Sequence, residues 1–174
     1  MYRSERKACD AICRTRRDPA KLSVDGEPLR ARGFPHDGQV LKRIDHVGVI
    51  VDDLAQARSF LADMGMRFDR DLVIPGRLRA AFYACGETQI EVIEIDEPEE
   101  RARRLGDETA RVEHIAFEVD SLSMTLQALQ GMGVRTTTAE PMAVGANLNF
   151  WTTPESCDGV QYQLIEKGAA AKPS

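Results

Sequence analysis

The chain has 174 residues, a net charge of −5, and is 43% hydrophobic and 29% charged. That composition allows one sizeable domain or two small modules sharing a core, and excludes a disordered chain. The acidic balance gives no reason to expect nucleic acid, and no apolar run approaches the roughly 20 residues of a membrane span. No hydrophobic signal region follows the charged N-terminus, so a cytoplasmic protein is expected.

Residues 1–40 stand apart, with nine Lys/Arg against six Asp/Glu. Pro19, Gly26, Pro28, Gly33, Pro35 and Gly38 interrupt any long period there. The segment reads as an irregular N-terminal arm with a short helix around residues 4–15. Cys9 and Cys13, with His36 nearby, lack the second Cys/His pair of a zinc finger. Together with Cys85 and Cys157 they are expected as reduced thiols.

From residue 44 the pattern becomes regular, and residues 41–168 read as one domain. IDHVGVIV (44–51) is rich in β-branched residues and predicts a strand. Asp52 or Asp53 can cap a helix to about Met64, with Leu54, Ala57, Phe60 and Leu61 at helical spacing and Gly65 as the stop. Strands are predicted at Arg67–Val73, Leu78–Cys85 and Thr88–Ile95, separated by turns at Pro75-Gly76 and Gly86-Glu87. Glu97–Gly106 is a charged linker able to form a short helix.

The second half repeats this order. VEHIAFEV (112–119) predicts a strand, Asp120 or Ser121 a cap, and Leu122–Met132 a helix ending at Gly133. Strands are then predicted at Val134–Thr138, Leu148–Thr152 and Val160–Glu166, with a Pro/Gly-containing loop after the first. Residues 169–174 read as a disordered tail. IDHVGVIVDDL recurs as VEHIAFEVDSL 68 positions later, and QIEVIE (89–94) as QYQLIE (161–166). Such duplication predicts an α+β fold of two tandem βαβββ modules, about 44–96 and 112–167. Neither module can bury both faces of its sheet alone, so the two are expected to form a cupped mixed sheet around a central cleft.

Alternation along a strand puts His46 on one face with Ile44, Gly48 and Ile50, and His114 with Val112 and Ala116. The residue two positions after each histidine is small and leaves room beside the ring. Glu91 and Gln163 occupy matching positions in the closing strands. Related by a pseudo-twofold axis, His46, His114, Glu91 and Gln163 could converge as two nitrogens and two oxygens around a divalent Mn, Co, Ni, Zn, Mg or Fe ion. No proton-transfer residue stands out: Glu118 lies two pleats from His114, and Glu94 and Glu166 fall on the opposite face. Phe82, Tyr83, Phe150 and Trp151 are pocket candidates, with core packing the competing role.

These motifs resemble the vicinal oxygen chelate superfamily, which includes glyoxalase I, methylmalonyl-CoA epimerase, extradiol dioxygenases and bleomycin-type resistance proteins. GETQIEVIE and DGVQYQLIE, with the two histidine strands, look most similar to methylmalonyl-CoA epimerase. The resemblance covers Ile44–Glu166. It implies a paired βαβββ fold, usually dimeric, with a divalent metal held at His46, Glu91, His114 and Gln163. The epimerase pattern has glutamate where this chain has Gln163, and the loop before Leu78 reads IPGR, without a carboxylate. Both departures remove candidate acid/base groups.

The expectation is therefore a metal-dependent enzyme that stabilises an enolate of a small substrate chelating through two oxygens, an epimerase, isomerase or lyase, on an acyl thioester in the epimerase-like case. A metal-free binding or resistance protein and an Fe(II) dioxygenase are the alternatives. A dioxygenase would want a neighbouring His or Tyr, for which Tyr83 and Tyr162 are candidates. Arg101–Arg104 is a candidate contact for a CoA phosphate, against the simpler reading of a solvated face.

Overall fold

The computed structural model describes residues 41–171. The arm assigned to residues 1–40, with its short helix, Cys9, Cys13 and His36, lies outside the described residues, as do residues 172–174. The elements are β1 (Arg43–Val51), α1 (Leu54–Asp63), β2 (Arg67–Ile74), β3 (Leu78–Cys85), β4 (Thr88–Ile95) and α2 (Pro98–Leu105), followed by β5 (Ala110–Val119), α3 (Leu122–Gly131), β6 (Met142–Val144), β7 (Asn147–Trp151) and β8 (Gln161–Glu166). All eight strands join one curled sheet in the order β2-β3-β4-β1-β5-β8-β7-β6. Each βαβββ module supplies half of it, and the antiparallel pair β1–β5 is the seam.

Helices α1 and α3 cover one face. Val51, Leu54, Leu61, Ala81, Tyr83 and Val92 form the apolar cluster under α1, and Val119, Leu122, Phe150 and Leu164 the one under α3. Short polar residues open both helices, as their chemistry favours. The Asp53 carboxylate accepts from the Gln56 amide at 3.0 Å, and Ser121 Oγ from the Met124 amide at 3.4 Å. The charged linker is a helix. Glu97 caps it, Pro98 opens it, acids fill its first turn and arginines its last, in accord with the helix dipole. Its Leu105 packs with Ile50 and Ile95.

The last glutamate of each repeated closing strand anchors a helix. Glu94 Oε2 accepts from the Leu54 amide at 3.1 Å, and Glu166 Oε2 from the Leu122 amide at 2.8 Å. Each carboxylate thereby satisfies a helix N-terminal donor that lacks an intrahelical partner.

Two expectations need correction. Val134–Thr138 is not a strand of the sheet; it makes one isolated bridge, Thr136 to Thr152, and the edge strand forms at Met142–Val144. The Thr136 and Thr138 hydroxyls donate to the carbonyls of Thr138 and Glu140, so this stretch satisfies itself locally. Ala169–Ala171, expected to open the tail, instead form a 3-10 turn, and the Ala170 amide donates to the Ala146 carbonyl at 3.0 Å.

The seam is not regular, and its irregularity matters for the cavity. In β1 the register steps from Ile44–Phe117 to His46–Ala116, leaving Asp45 as an extra residue. In β5 it steps from Gly48–His114 to Val49–Val112, leaving Glu113 extra. Each acid of the two acid-His dipeptides thus sits at a β-bulge, a device that redirects a side chain beside a site. Strict alternation would put Ile44 and Val112 beside the histidines. Instead these residues are exposed, and Asp45 and Glu113 line the cavity.

Removing the Glu166 carboxylate orphans the Leu122 amide. Glu166→Ala is expected to lower stability by about 1–2 kcal/mol, on the scale of a lost helix cap, whereas Glu166→Gln keeps an acceptor oxygen and most of that stability. Urea unfolding followed by circular dichroism measures both; equal losses would contradict the anchoring role.

Candidate metal centre

The other face of the sheet holds a cavity of about 640 Å³. At its base four buried side chains meet. His46 Nε2 lies 3.2 Å from His114 Nε2, 3.2 Å from Glu91 Oε2 and 3.2 Å from Gln163 Oε1. His114 Nε2 lies 3.5 Å from Glu91 Oε2. All four residues proposed from the sequence come together, and the His46, Glu91 and His114 donor atoms form a group able to hold a metal ion.

Strand register explains the meeting. Glu91, Gly48 and His114 occupy one row across β4, β1 and β5, while His46, Ala116 and Gln163 occupy the next row across β1, β5 and β8. Strands two apart are separated by roughly 9–10 Å, so these side chains must lean over the strand between. Gly48 and Ala116 are the residues leaned over. A Cβ added at Gly48 would stand 2.2 Å from His114 Cε1. The small residue after each histidine therefore makes room for the ring of the opposite strand, not for its own.

The acids at the bulges flank the rings. Asp45 Oδ1 accepts from His46 Nδ1 at 2.9 Å, which fixes the tautomer and aims the Nε2 lone pair inward. Glu113 Oε2 stands 3.8 Å from His114 Nδ1, a charge contact rather than a hydrogen bond. Each acid is backed by a cation: Asp45 by Lys167, and Glu113 by Arg104. With Nδ1 donating to Asp45, His46 turns Nε2 inward as an acceptor, beside the Glu91 carboxylate oxygen, the Gln163 amide oxygen and His114 Nε2. Such a set is satisfied by a proton or a cation at its centre.

Ionisation follows the same demand. Burial opposes charge on His46, but Asp45 and Glu91 outweigh it and push its pKa up to about 9. Burial likewise raises Glu91, yet the two imidazoles prevail and bring it down to about 2. His114 is also raised, Glu113 and Glu91 overcoming its burial. The spacing suits a larger cation as well. Ligands each about 2.0–2.1 Å from a shared tetrahedral centre lie about 3.3–3.4 Å apart, close to the 3.2–3.5 Å found here.

Of the aromatic candidates, Phe82 and Trp151 line the cavity, with Phe82 edge-on to His46 at 5.5 Å between centroids. Tyr83 and Phe150 belong to the clusters under the helices. Tyr162 packs on Phe117, so neither tyrosine candidate flanks the four-residue set. In the Arg-rich segment, Arg101 holds Glu94 and Arg103 holds Glu100; Arg104 alone of this segment lines the cavity. Glu118 is bound among Lys42, Arg43 and Lys167. The places of Asp45 and Glu113 beside the rings are signalled by the repeated acid-His dipeptide. Asn149, whose Oδ1 accepts from Gln163 Nε2 at 2.9 Å, carries no sequence signal.

The crystal structure of methylmalonyl-CoA epimerase from Mycobacterium tuberculosis superposes with a TM-score of 0.67 at 23% identity, over 74% of this chain and 89% of that one. A Streptomyces coelicolor methylmalonyl-CoA epimerase in complex with 2-nitronate-propionyl-CoA gives 0.61 at 23% identity, over 74% of this chain and 99% of that one. These likenesses concern the fold. The uncharacterized Bacillus subtilis protein YqjC is 30% identical over 138 residues, 72% of this chain and 93% of its own length. Residues 45–152 match the Glyoxalase/Bleomycin resistance protein/Dioxygenase superfamily, and the chain, with its paired modules and cupped sheet, belongs to that superfamily.

Proposed function

We propose that the protein is a metal-dependent enzyme of the vicinal oxygen chelate type, with His46, Glu91 and His114 as ligands to a divalent ion and Gln163 as the fourth. The observation that carries this reading is the convergence of four buried potential ligand atoms, His46 Nε2, His114 Nε2, Glu91 Oε2 and Gln163 Oε1, at the cavity. A divalent ion held there would polarise a substrate carbonyl and favour the enolate form of the neighbouring carbon. Its identity is open among Co, Mn, Ni, Zn, Mg and Fe, all compatible with a nitrogen–oxygen set.

The surrounding residues support an oxygenated substrate. Phe82, Leu72 and Ile93 from the first module and Trp151, Met142 and Val144 from the second supply apolar walls. Arg70 and Arg104 line the cavity already paired with Asp69 and Glu113, whereas Arg77 lines it with no ion-pair partner among the described residues and would meet an anionic substrate group. The lining carboxylates besides Glu91 are engaged: Asp45 with His46 and Lys167, Glu113 with Arg104, Asp71 with Arg58. With those carboxylates held in ion pairs, the residues support stabilisation of an enolate by the metal and supply no assigned acceptor for the α-proton; the choice among epimerase, isomerase and lyase rests on the substrate. Acyl-CoA thioesters are the first class to try, because the epimerases of like fold have structures with acyl-CoA ligands. A homodimer in the cytoplasm belongs to the same reading.

Protein purified without chelator is expected to carry, or take up, about one divalent ion per chain. Metal content below about 0.2 per chain with no uptake on titration would favour a metal-free binding protein. With metal present, deuterium exchange from solvent into a methylmalonyl-type thioester supports the epimerase-like reading, and substrate-dependent oxygen uptake supports a dioxygenase.

His46→Ala and His114→Ala should each weaken metal binding by more than about a hundredfold, since even an outer partner of a ligand is worth about 10–100-fold. Gly48→Ala should weaken binding similarly through displacement of the His114 ring, while circular dichroism stays close to that of the unaltered chain; undiminished affinity would contradict the steric account.

Proton and metal compete for His46 Nε2. With a pKa of about 9 in the metal-free protein, His46 is protonated at neutral pH, so metal affinity should rise between pH 6 and 8, by at most about tenfold per unit for this one proton. The same shift stabilises the metal-free fold below the unfolded value of about 6.5, and that stability is lost as pH rises through about 9. Calorimetric titration at several pH values tests the first statement and thermal unfolding of metal-free protein the second; affinity falling with pH would contradict the assignment.

A further inference from the structure

The two modules are matched almost residue for residue around the four-residue set, except where Glu91 faces Gln163. A carboxylate presents oxygen whichever way its end turns. An amide does not: one orientation offers oxygen to the site, and the other offers two N–H groups that repel a cation. Something must choose between them. Asn149 is 2% exposed, and its Nδ2 donates to the main-chain carbonyls of Met142 and Asn147, both at 3.3 Å. Those carbonyls can only accept, so they settle which end of the Asn149 amide is nitrogen. Its Oδ1 is then left to accept from Gln163 Nε2 at 2.9 Å, and Gln163 Oε1 faces His46 Nε2 at 3.2 Å. Turning Gln163 over would set oxygen against oxygen at Asn149.

The corresponding position of the first module reinforces this. Asn149 is paired with Ile165 in β7–β8, and the equivalent partner of Ile93 in β3–β4 is Ala80. The buried amide occurs in the module whose ligand position is an amide, and an alanine in the module whose ligand position is a carboxylate. We infer that Asn149 is a positioning residue that transmits the polarity of the β6–β7 main chain to Gln163 and makes its oxygen, not its nitrogen, the fourth ligand. The inference rests on the metal reading above.

Cobalt(II) titration, followed by its d–d absorption, separates this role from simple packing. Asn149→Ala should weaken Co²⁺ binding about 10- to 100-fold and alter the spectrum in the Gln163 chain. In a Gln163→Glu background, where either end of the side chain is oxygen, the same substitution should change affinity less than about threefold. Asn149→Asp, whose buried second oxygen is held protonated by the Met142 and Asn147 carbonyls it faces, keeps the acceptor toward Gln163 Nε2 and should hold affinity within about fivefold of the unaltered chain at the same pH; it also serves if the alanine variant does not fold. Equal loss in both backgrounds, no loss in either, or an aspartate variant as weak as Gln163→Ala overturns the assignment and leaves the metal site standing. A folded, unaltered chain that binds no Co²⁺ overturns both the metal reading and this role.

Discussion

The antiparallel pairing of β1 with β5 sets Gly48 against His114 and Ala116 against His46, with Val47 and Ile115 at the centre of the exchange. The cavity depends on this arrangement. Side chains from β4 and β8 reach the histidines only because the residue on the strand between is small. Shifting the register by one residue would put valine or isoleucine under each ring and turn the histidines to the helix face. The two bulges belong to the same constraint. Each inserts one residue next to a histidine and brings an acid to the cavity side, where an aliphatic residue would otherwise stand.

Burying this much charge requires partners at every step. Asp45, His46, Glu91 and His114 are all under 9% exposed, and isolated charges at such depth would be very unfavourable. The structure answers with alternation of sign. Lys167 backs Asp45, Asp45 backs His46, and the two imidazoles share Glu91. On the other strand Arg104 backs Glu113, which stands beside His114. The sequence of charges ends at the inward acceptors, and the cation that completes it is the proposed metal or, in its absence, a shared proton.

Much of this was legible in the chain. Duplicated acid-His and Gln-x-Glu/Gln patterns identify the four inward residues, because two copies of one strand in a pseudo-twofold fold must place like residues alike. Glu94 and Glu166 were correctly separated from Glu91 and Gln163 by strand parity, although their work as helix anchors was not visible. Other features were hidden. A bulge leaves no period in a strand of nine or ten residues, so Ile44 and Val112 looked inward. Threonines 136–138 have strand propensity, and only their hydroxyl bonds to nearby carbonyls explain why the edge strand forms at Met142–Val144 instead.

What the sequence alone determined is therefore the architecture and the composition of the candidate centre: two βαβββ modules, two imidazoles, a carboxylate and an amide on one face. Periodicity and duplication carry that information, since they depend only on residues along one strand. Tertiary structure decided how those groups are aimed. The tautomer of His46 is set by a bulged Asp45, the room for His114 by Gly48 on the facing strand, and the orientation of Gln163 by Asn149 and the main chain of another hairpin. Each is a contact between residues whose spacing in the chain bears no relation to their spacing in space, and hydrogen-bond polarity at close range appears only once the strands are paired.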